Sequence, residues 1–531
     1  MGTRAESEGP APSPQACLPI DARQAREQSA NRLHRCPANV WSLRGFILMA
    51  LAFGTLCRVS QYAAGTSVWH DEAFVALNAA QKTFAGLLGS LEWNEASPPG
   101  FLIVEKIVIL TLGRSEYALR LIPLLAGIAA MIGLAVLARR VCGTGMASLW
   151  AVVLAAASPN LIAHANLVKH FTLDMLWAVS LVWLADRIWP LDRPVRMLLV
   201  WGALGAVGPW FSFASVFVFA GTSLTLGARA VRTWRGPARA AYLLANLEVL
   251  ATLALLLGPI RAQATGRLVD FWLSRGAFPD TQSLWSLGHW LLRSGSGVAA
   301  YFWRQPGPAL LALILLGGVR WWRTGRRPEL CLVLLPALMA LFASALHRWP
   351  FGGNQHMVLA APAAVLLMAE GMDGLGIWLA RWQRWARWAL VALFLLPGVI
   401  NAAYRVAIPR QRHELRPVIM FVQRNLEPGD HVLVFDPVTF MFYAGRDLQD
   451  APTAPDILSR VWFISIRDGY KRSTFTGQDV LDGLEARRPR MLAIERYGAA
   501  AYLFGPEHPP RGPAPPGGAS GGDAPPRGPS G

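Results

Sequence analysis

The chain has 531 residues, 53% of them hydrophobic and only 16% charged, with a net charge of +17 and a mean hydropathy of +0.33. Its apolar residues come in runs long enough to span a hydrocarbon core of roughly 30 Å, and stretches such as 240–259 and 330–346 are apolar all round, which excludes an ordinary soluble fold. Lys and Arg sit in short clusters between these runs, so the charge reads as membrane topology, with no nucleic-acid partner, and no P-loop or metal-ligand spacing occurs.

In chain order, residues 1–40 have no apolar run and no cleavage site, and are expected to form a disordered cytoplasmic extension. The segment 43–62 then crosses outward. The basic clusters at Arg32/Arg35/Arg44, Arg139/Arg140, Arg187/Arg193/Arg196, Arg229/Arg232/Arg235/Arg239, Arg320/Arg323/Arg326/Arg327 and Arg381/Arg384/Arg387 are assigned to the cytoplasm. The loop 64–98 therefore lies outside; it carries Asp71, Glu72, Glu92 and Glu95 against a single Lys82. Within it, Phe74, Leu77, Phe84, Leu88 and Leu91 recur at near-helical spacing, predicting one amphipathic helix over 72–93, flat on the membrane surface.

The segments 101–112 and 117–138 must together give an odd number of crossings, so one of them is short, tilted or half-inserted. Residues 197–227, broken at Gly208-Pro209, read as a hairpin with a Pro-containing turn. With 147–163, 168–189, 240–260, 307–319, 330–346, 357–375 and 388–404, the total is about 11 to 13 crossings. This describes an all-α polytopic membrane protein whose transmembrane domain occupies 41–404. Beyond it, 405–504 read as a small extracytoplasmic α/β domain, with an amphipathic helix at 413–426, strands at 431–436 and 461–466, and a helix at 479–486 leading into 491–494. The Pro/Gly-rich tail 505–531 is expected to be disordered. Cys17, Cys36, Cys57, Cys142 and Cys331 all fall outside the outer loops, so no structural disulfide is implied.

The chemistry gathers on the outer side. Ser67-Val-Trp-His-Asp-Glu-Ala73 brings two adjacent carboxylates, Asp71 and Glu72, to the membrane edge, where desolvation makes them costly. A base at that boundary reaches both a lipid phosphate and a polar molecule from outside; equally, both carboxylates suit the positive N-terminal end of a helix. His164, Lys169, His170 and Asp174 interrupt the next apolar segment, with His170 and Asp174 four apart on one helical face. His347-Arg-Trp-Pro-Phe-Gly-Gly-Asn-Gln-His356 adds Arg348 and His356 in a Gly-rich loop, a composition that suits an anion as well as a simple connector. A base for an attacking hydroxyl and positive charge for a departing phosphate are what transfer from a phosphate-activated lipid requires.

These motifs resemble those of the GT-C membrane glycosyltransferases, in particular the bacterial branch related to protein O-mannosyltransferases and the aminoarabinose transferase of lipid A (family 39 and RgtA/B/C/D-like proteins). Trp69-His-Asp-Glu72, Ser97-Pro-Pro99, the segment 113–123, Val168-Lys-His-Phe-Thr-Leu-Asp174 and Trp349-Pro-Phe-Gly-Gly353 with His356 occur in the family's order, over roughly residues 43–445. The resemblance implies a polyprenyl-phosphate-sugar donor, a glycan, lipid or protein acceptor, an extracytoplasmic site in the bacterial inner membrane, and inversion at the anomeric carbon. It implies Asp71 as catalytic base with Glu72 as its partner, Lys169 near the donor phosphate, and substrate contacts from His70, Glu95, His170, Asp174, Arg348 and His356. Phe171, Asn94 and Gln355 depart from the family pattern, and a divalent metal is left open. A flippase, or a non-catalytic scaffold for lipid-linked glycans, would use the same cations without needing a base.

Overall fold

The computed structural model describes residues 40–445, 459–467 and 477–507. The expected N-terminal extension with Cys17 and Cys36, and most of the expected tail, lie outside the described residues. By packing, the described residues from Ile47 onward make one compact unit; of the other unit, only the residues from Val40, where the first helix starts, are described.

That helix, α1 (Val40–Ala63), leads into α2 (His70–Gln81), α3 (Pro99–Leu112), α4 (Glu116–Val141), α5 (Met146–Ala157), α6 (Pro159–His164), α7 (Phe171–Ile188), α8 (Val195–Phe211) and α9 (Ser215–Arg232). Next come α10 (Pro237–Gln263), α11 (Gly266–Leu273), α12 (Leu284–Phe302), α13 (Gly307–Arg323), α14 (Arg327–Ala345), α15 (Ala361–Leu379) and α16 (Arg384–Ala407). Six helical segments among the described residues are long and apolar enough to cross a membrane: Leu43–Ala63, Glu116–Val141, Pro237–Gln263, Arg327–Ala345, Gln355–Leu379 and Arg384–Ala407. The protein is a multi-pass membrane protein. Shorter apolar helices Met146–Ala157 and Val195–Phe211 lie among them.

The spans differ in environment. Gln355–Leu379 is 89% buried and forms the centre, whereas Arg384–Ala407 is 17% buried, which leaves its apolar side chains for lipid. Close approach builds that centre: an added Cβ on Gly317 of α13 would stand 2.0 Å from the Leu367 carbonyl of α15, and one on Gly371 2.0 Å from the Leu313 carbonyl. Small residues at such crossings let backbones meet and gain dispersion contacts that lipid cannot match. At the ends of these helices the arginine clusters find buried acids: Arg140 with Asp186, Arg326 with Glu370, Arg387 with Asp373, and Arg320 with both Glu370 and Asp373.

Several local expectations are corrected. The single helix over 72–93 is replaced by α2 and two short 3-10 turns, Gly86–Leu88 and Glu92–Asn94. It does not lie on lipid: Leu77, Val75 and Ala76 are buried in a core with Phe101, Leu119, Val438 and Phe442. Of the pair 101–112 and 117–138, the short member is α3, whose 14 residues rise about 21 Å, less than the hydrocarbon thickness. The hairpin turn falls at Ser212–Ala214, not Gly208-Pro209. Pro209 sits in the last turn of α8, and Ser212 Oγ accepts from the Ser215 amide to start α9. At Ser158-Pro159 the chain breaks between α5 and α6, and buried Arg58 donates to the carbonyls of Ala155 and Ala156 that end α5.

The C-terminal part contains α17 (Leu415–Asn425), β1 (His431–Val434), α18 (Pro437–Ala444), β2 (Val461–Ile466), α19 (Gln478–Arg487), β3 (Arg490–Arg496) and β4 (Ala499–Phe504). The sheet order is β1-β2-β4-β3, with β1 parallel to β2 and the other pairs antiparallel. One face packs Trp462, Ile464, Ala501 and Leu503 against Leu415, Val418, Ile419 and Val422 of α17. The other sets Val461, Phe463, Tyr502 and Phe504 against Leu481 of α19. Strands β2 and β4 are thus buried on both faces. This is why β4, read as Ala-Ala-Ala-Tyr-Leu-Phe, lacks the alternation that marks a half-exposed strand and was not among the expected elements.

Candidate functional site

Asp71 and Glu72 open α2, where free backbone amides favour negative charge, but their surroundings differ. Glu72 is 1% exposed. Arg120 of α4 grips it at two points, Nε to Oε1 at 2.9 Å and Nη2 to Oε2 at 2.8 Å, and the Val168 amide donates to Oε1 at 2.9 Å. Arg120 spends its remaining donors on the carbonyls of Thr66 and Ser67. Both carboxylate oxygens of Glu72 are therefore engaged, which ties the start of α2 to α4 and to the Val168 amide.

Asp71 is half-exposed; among the described residues its one ion-pair contact is His70 Nε2 at 3.5 Å. The other loop carboxylates are engaged: Glu92 with Lys82, and buried Glu95 with Lys169 Nζ at 2.7 Å. Ser97 Oγ donates to Glu95 at 2.8 Å, so the residues ahead of the double proline are fixed before α3 begins. Lys169, expected near the donor phosphate, is thus paired with Glu95 in this structure. Trp93 and Asn94, at φ 58° and 56°, hold a left-handed conformation that bulky residues avoid, and the Asn94 side chain accepts from Thr265 Oγ1.

The break after α6 places Lys169 and His170 in a loop, with His170 at the start of α7 instead of within a helix. His170 Nε2 lies 4.0 Å from Asp174, and both are buried. His356 opens the turn Gln355–Ala360, its amide bound to Asn354 Oδ1. Its ring is boxed edge-on by Trp272 at 5.1 Å, Trp349 at 5.4 Å and Phe171 at 5.9 Å. Arg348, expected to face the phosphate, is exposed and lines none of the cavities described below.

Two sets of cations were not anticipated. A cavity of about 510 Å³ is lined by Phe271, Trp272, Arg275, Arg293 and the backbone of Gly352 and Gly353. Gly352 has φ 136°, and a Cβ on Gly353 would meet the Gly297 carbonyl at 2.9 Å, so the loop passes close to α12 only as glycine. The second set lies along two connected clefts of about 40 Å³ each, which share Gln61, Ala163 and Arg410; one adds Trp69 and Arg412, the other Arg304 and Arg405. The Arg412 guanidinium stacks 3.4 Å from the Trp69 ring centroid. Burial, then repulsion from Arg412, Arg304 and Arg405, pushes Arg410 down to about 10. Asp71 lies within electrostatic reach of Arg412 and also of His356. A sequence signal for the second set existed: Arg405, Arg410 and Arg412 cluster at the end of the last apolar span.

The C-terminal part closes over this loop. Tyr443 of α18 accepts from the Val68 amide at 2.7 Å and donates to Glu116 at 2.7 Å, and Ser67 Oγ donates to Glu414 at 2.9 Å. Among the described residues, no three His, Cys, Asp or Glu side chains are grouped to hold a metal.

No protein-family model and no curated protein matches this sequence. Among solved structures, ArnT from Cupriavidus metallidurans bound to undecaprenyl phosphate aligns with a TM-score of 0.50 at 14% identity, covering 86% of this chain and 98% of that one. The oligosaccharyltransferase of Archaeoglobus fulgidus, in its apo form, aligns with a TM-score of 0.51 at 11% identity, covering 87% of this chain and 75% of that one. The chain has the fold of these proteins, the GT-C fold that its motifs resemble.

Proposed function

We propose that this chain is an inverting glycosyltransferase that moves a sugar from a polyprenyl-phosphate donor to a glycan, lipid or protein acceptor at the extracytoplasmic face of the bacterial inner membrane. The observation that carries this reading is the isolation of Asp71: of the four carboxylates of its loop, it alone has no lysine or arginine within ion-pair distance among the described residues, while a cleft with Arg410 and Arg412 is lined by its neighbours Trp69 and Glu72. The fold shared with a protein solved with undecaprenyl phosphate supports the donor class.

In this mechanism the lipid phosphate occupies the cavity of Arg275, Arg293 and the Gly352-Gly353 amides, whose charge and backbone donors suit phosphate oxygens. Asp71 takes the acceptor hydroxyl proton as the oxygen attacks the anomeric carbon. The new carbon–oxygen bond forms on the face opposite the breaking bond to phosphate, and polyprenyl phosphate leaves with the electron pair, stabilised by the arginines. Glu72, Arg120 and the Glu95–Lys169 pair hold the base in place.

The test is transfer by purified wild type and Asp71→Asn, with undecaprenyl-phosphate binding measured in parallel. General-base loss lowers kcat by about 10²–10⁴ or more with donor affinity kept. Near-normal turnover in the variant would remove Asp71 from the chemistry and favour a flippase or scaffold.

A further inference from the structure

The cluster Arg304, Arg405, Arg410 and Arg412 is not accounted for by the donor. None of the four has a carboxylate within ion-pair distance among the described residues; Arg412 lies over the Trp69 ring and Arg405 over the Tyr404 ring. Arg405 and Arg410 are half-buried, Arg304 and Arg412 are exposed, and the repulsion that bears on Arg410 is offset only in part, through the action of Glu72 and Asp71 on Arg412. Several other arginines, Arg120, Arg320, Arg326 and Arg387, are matched to acids, and buried Arg58 to backbone carbonyls. The clefts these four line share no residue with the cavity of Arg275 and Arg293. Each cleft of about 40 Å³ holds the equivalent of a few waters, enough for one oxyanion.

We propose that Arg304, Arg405, Arg410 and Arg412 form a second anion site, which holds a phosphate or carboxylate carried by the acceptor. The inference rests on the glycosyltransferase reading and deepens it: the acceptor is an acidic molecule, and its anion docks beside Trp69 while a neighbouring hydroxyl meets Asp71. Arg410 and Arg412 are fixed for this by the chain itself, since the Arg410 amide and carbonyl both bind the Gln61 side chain, at 2.7 and 2.8 Å. Planar guanidinium forks on a short linker suit an oxyanion better than lysines would.

The experiment titrates the full-length protein in nanodiscs of neutral lipid with inorganic phosphate and, separately, with undecaprenyl phosphate. Both titrations are repeated on Arg410→Gln/Arg412→Gln, on Arg304→Gln as a variant from a different connection, and on Arg275→Gln/Arg293→Gln. The expected result is that inorganic phosphate binding weakens about tenfold or more in the first two, the loss of a charge-assisted bond, while undecaprenyl phosphate binding is unchanged; the third shows the reverse. Saturating undecaprenyl phosphate does not displace inorganic phosphate from wild type. Displacement, or equal loss of undecaprenyl phosphate in Arg410→Gln/Arg412→Gln, would assign the cluster to the donor and overturn the proposal. Unchanged phosphate binding in both Arg304→Gln and the double variant would overturn it as well. If undecaprenyl phosphate binds none of the proteins, the donor reading fails by itself, and the phosphate arm still decides whether the second site exists.

Discussion

Glu72 and Arg120, 48 positions apart, meet in a two-point ion pair that leaves both side chains almost fully buried. The pair joins the helix carrying Asp71 to α4, and the Val168 amide ties the Lys169 loop to the same carboxylate.

Removing one partner strands a buried charge. Glu72→Gln is expected to cost about 3–5 kcal/mol of stability, read from denaturant or thermal unfolding in detergent. Glu72→Leu combined with Arg120→Met recovers most of this, because a buried pair replaced by apolar groups is often neutral. The unsatisfied Val168 amide holds back about 1–3 kcal/mol.

Arginine in the large cavity separates donor binding from topology. Arg293→Gln is expected to raise the KM for the lipid-phosphate donor about tenfold with kcat little changed, whereas Arg348→Gln, exposed and outside the cavity, shifts it less than about twofold. Steady-state kinetics with a defined donor check both.

Gly353→Ala places a methyl 2.9 Å from the Gly297 carbonyl, so loop or helix must move. The expected outcome is a loss of about 1–3 kcal/mol and a raised donor KM together; an unchanged melting temperature would argue against the close approach.

Tyr443→Phe removes one donor to Glu116, which keeps Arg416, and leaves the Val68 amide without its acceptor. A cost of about 1–3 kcal/mol is expected, with faster proteolysis of the C-terminal part, measured by limited digestion.

His413 donates from Nδ1 to the Gly498 carbonyl, and burial holds its pKa below the ordinary value of 6.5. The unfolded chain therefore takes up a proton that the folded one refuses. Stability is fully present above pH 6.5 and falls as the pH drops from there toward the lowered folded value. His413→Gln should flatten that slope in melting temperature against pH; an unchanged slope would exclude His413 as its source.

The reading of the chain from its residues was strongest where local pattern dominates. Apolar runs marked membrane helices, and α17, β2 and α19 followed from amphipathic or strand-like spacing. It was weakest where burial erases pattern, as in β4, and where partners come from afar. Asp71 and Glu72 look equivalent as neighbours, yet α4 claims one and leaves the other. Lys169 reads as a free cation until Glu95, 74 positions earlier, is found against it. Arg120 lay inside a motif that carried the resemblance without any role of its own.

The sequence by itself determined that the chain lives in a membrane and that carboxylates and cations collect in a few loops between its apolar runs. These follow from transfer free energies and helical periodicity, which are properties of short segments. Only the tertiary structure decided which charges cancel. Pairing depends on distances of a few ångströms between residues far apart in the chain, and those distances separate a buried, paired carboxylate such as Glu72 from a half-exposed, unpaired one such as Asp71.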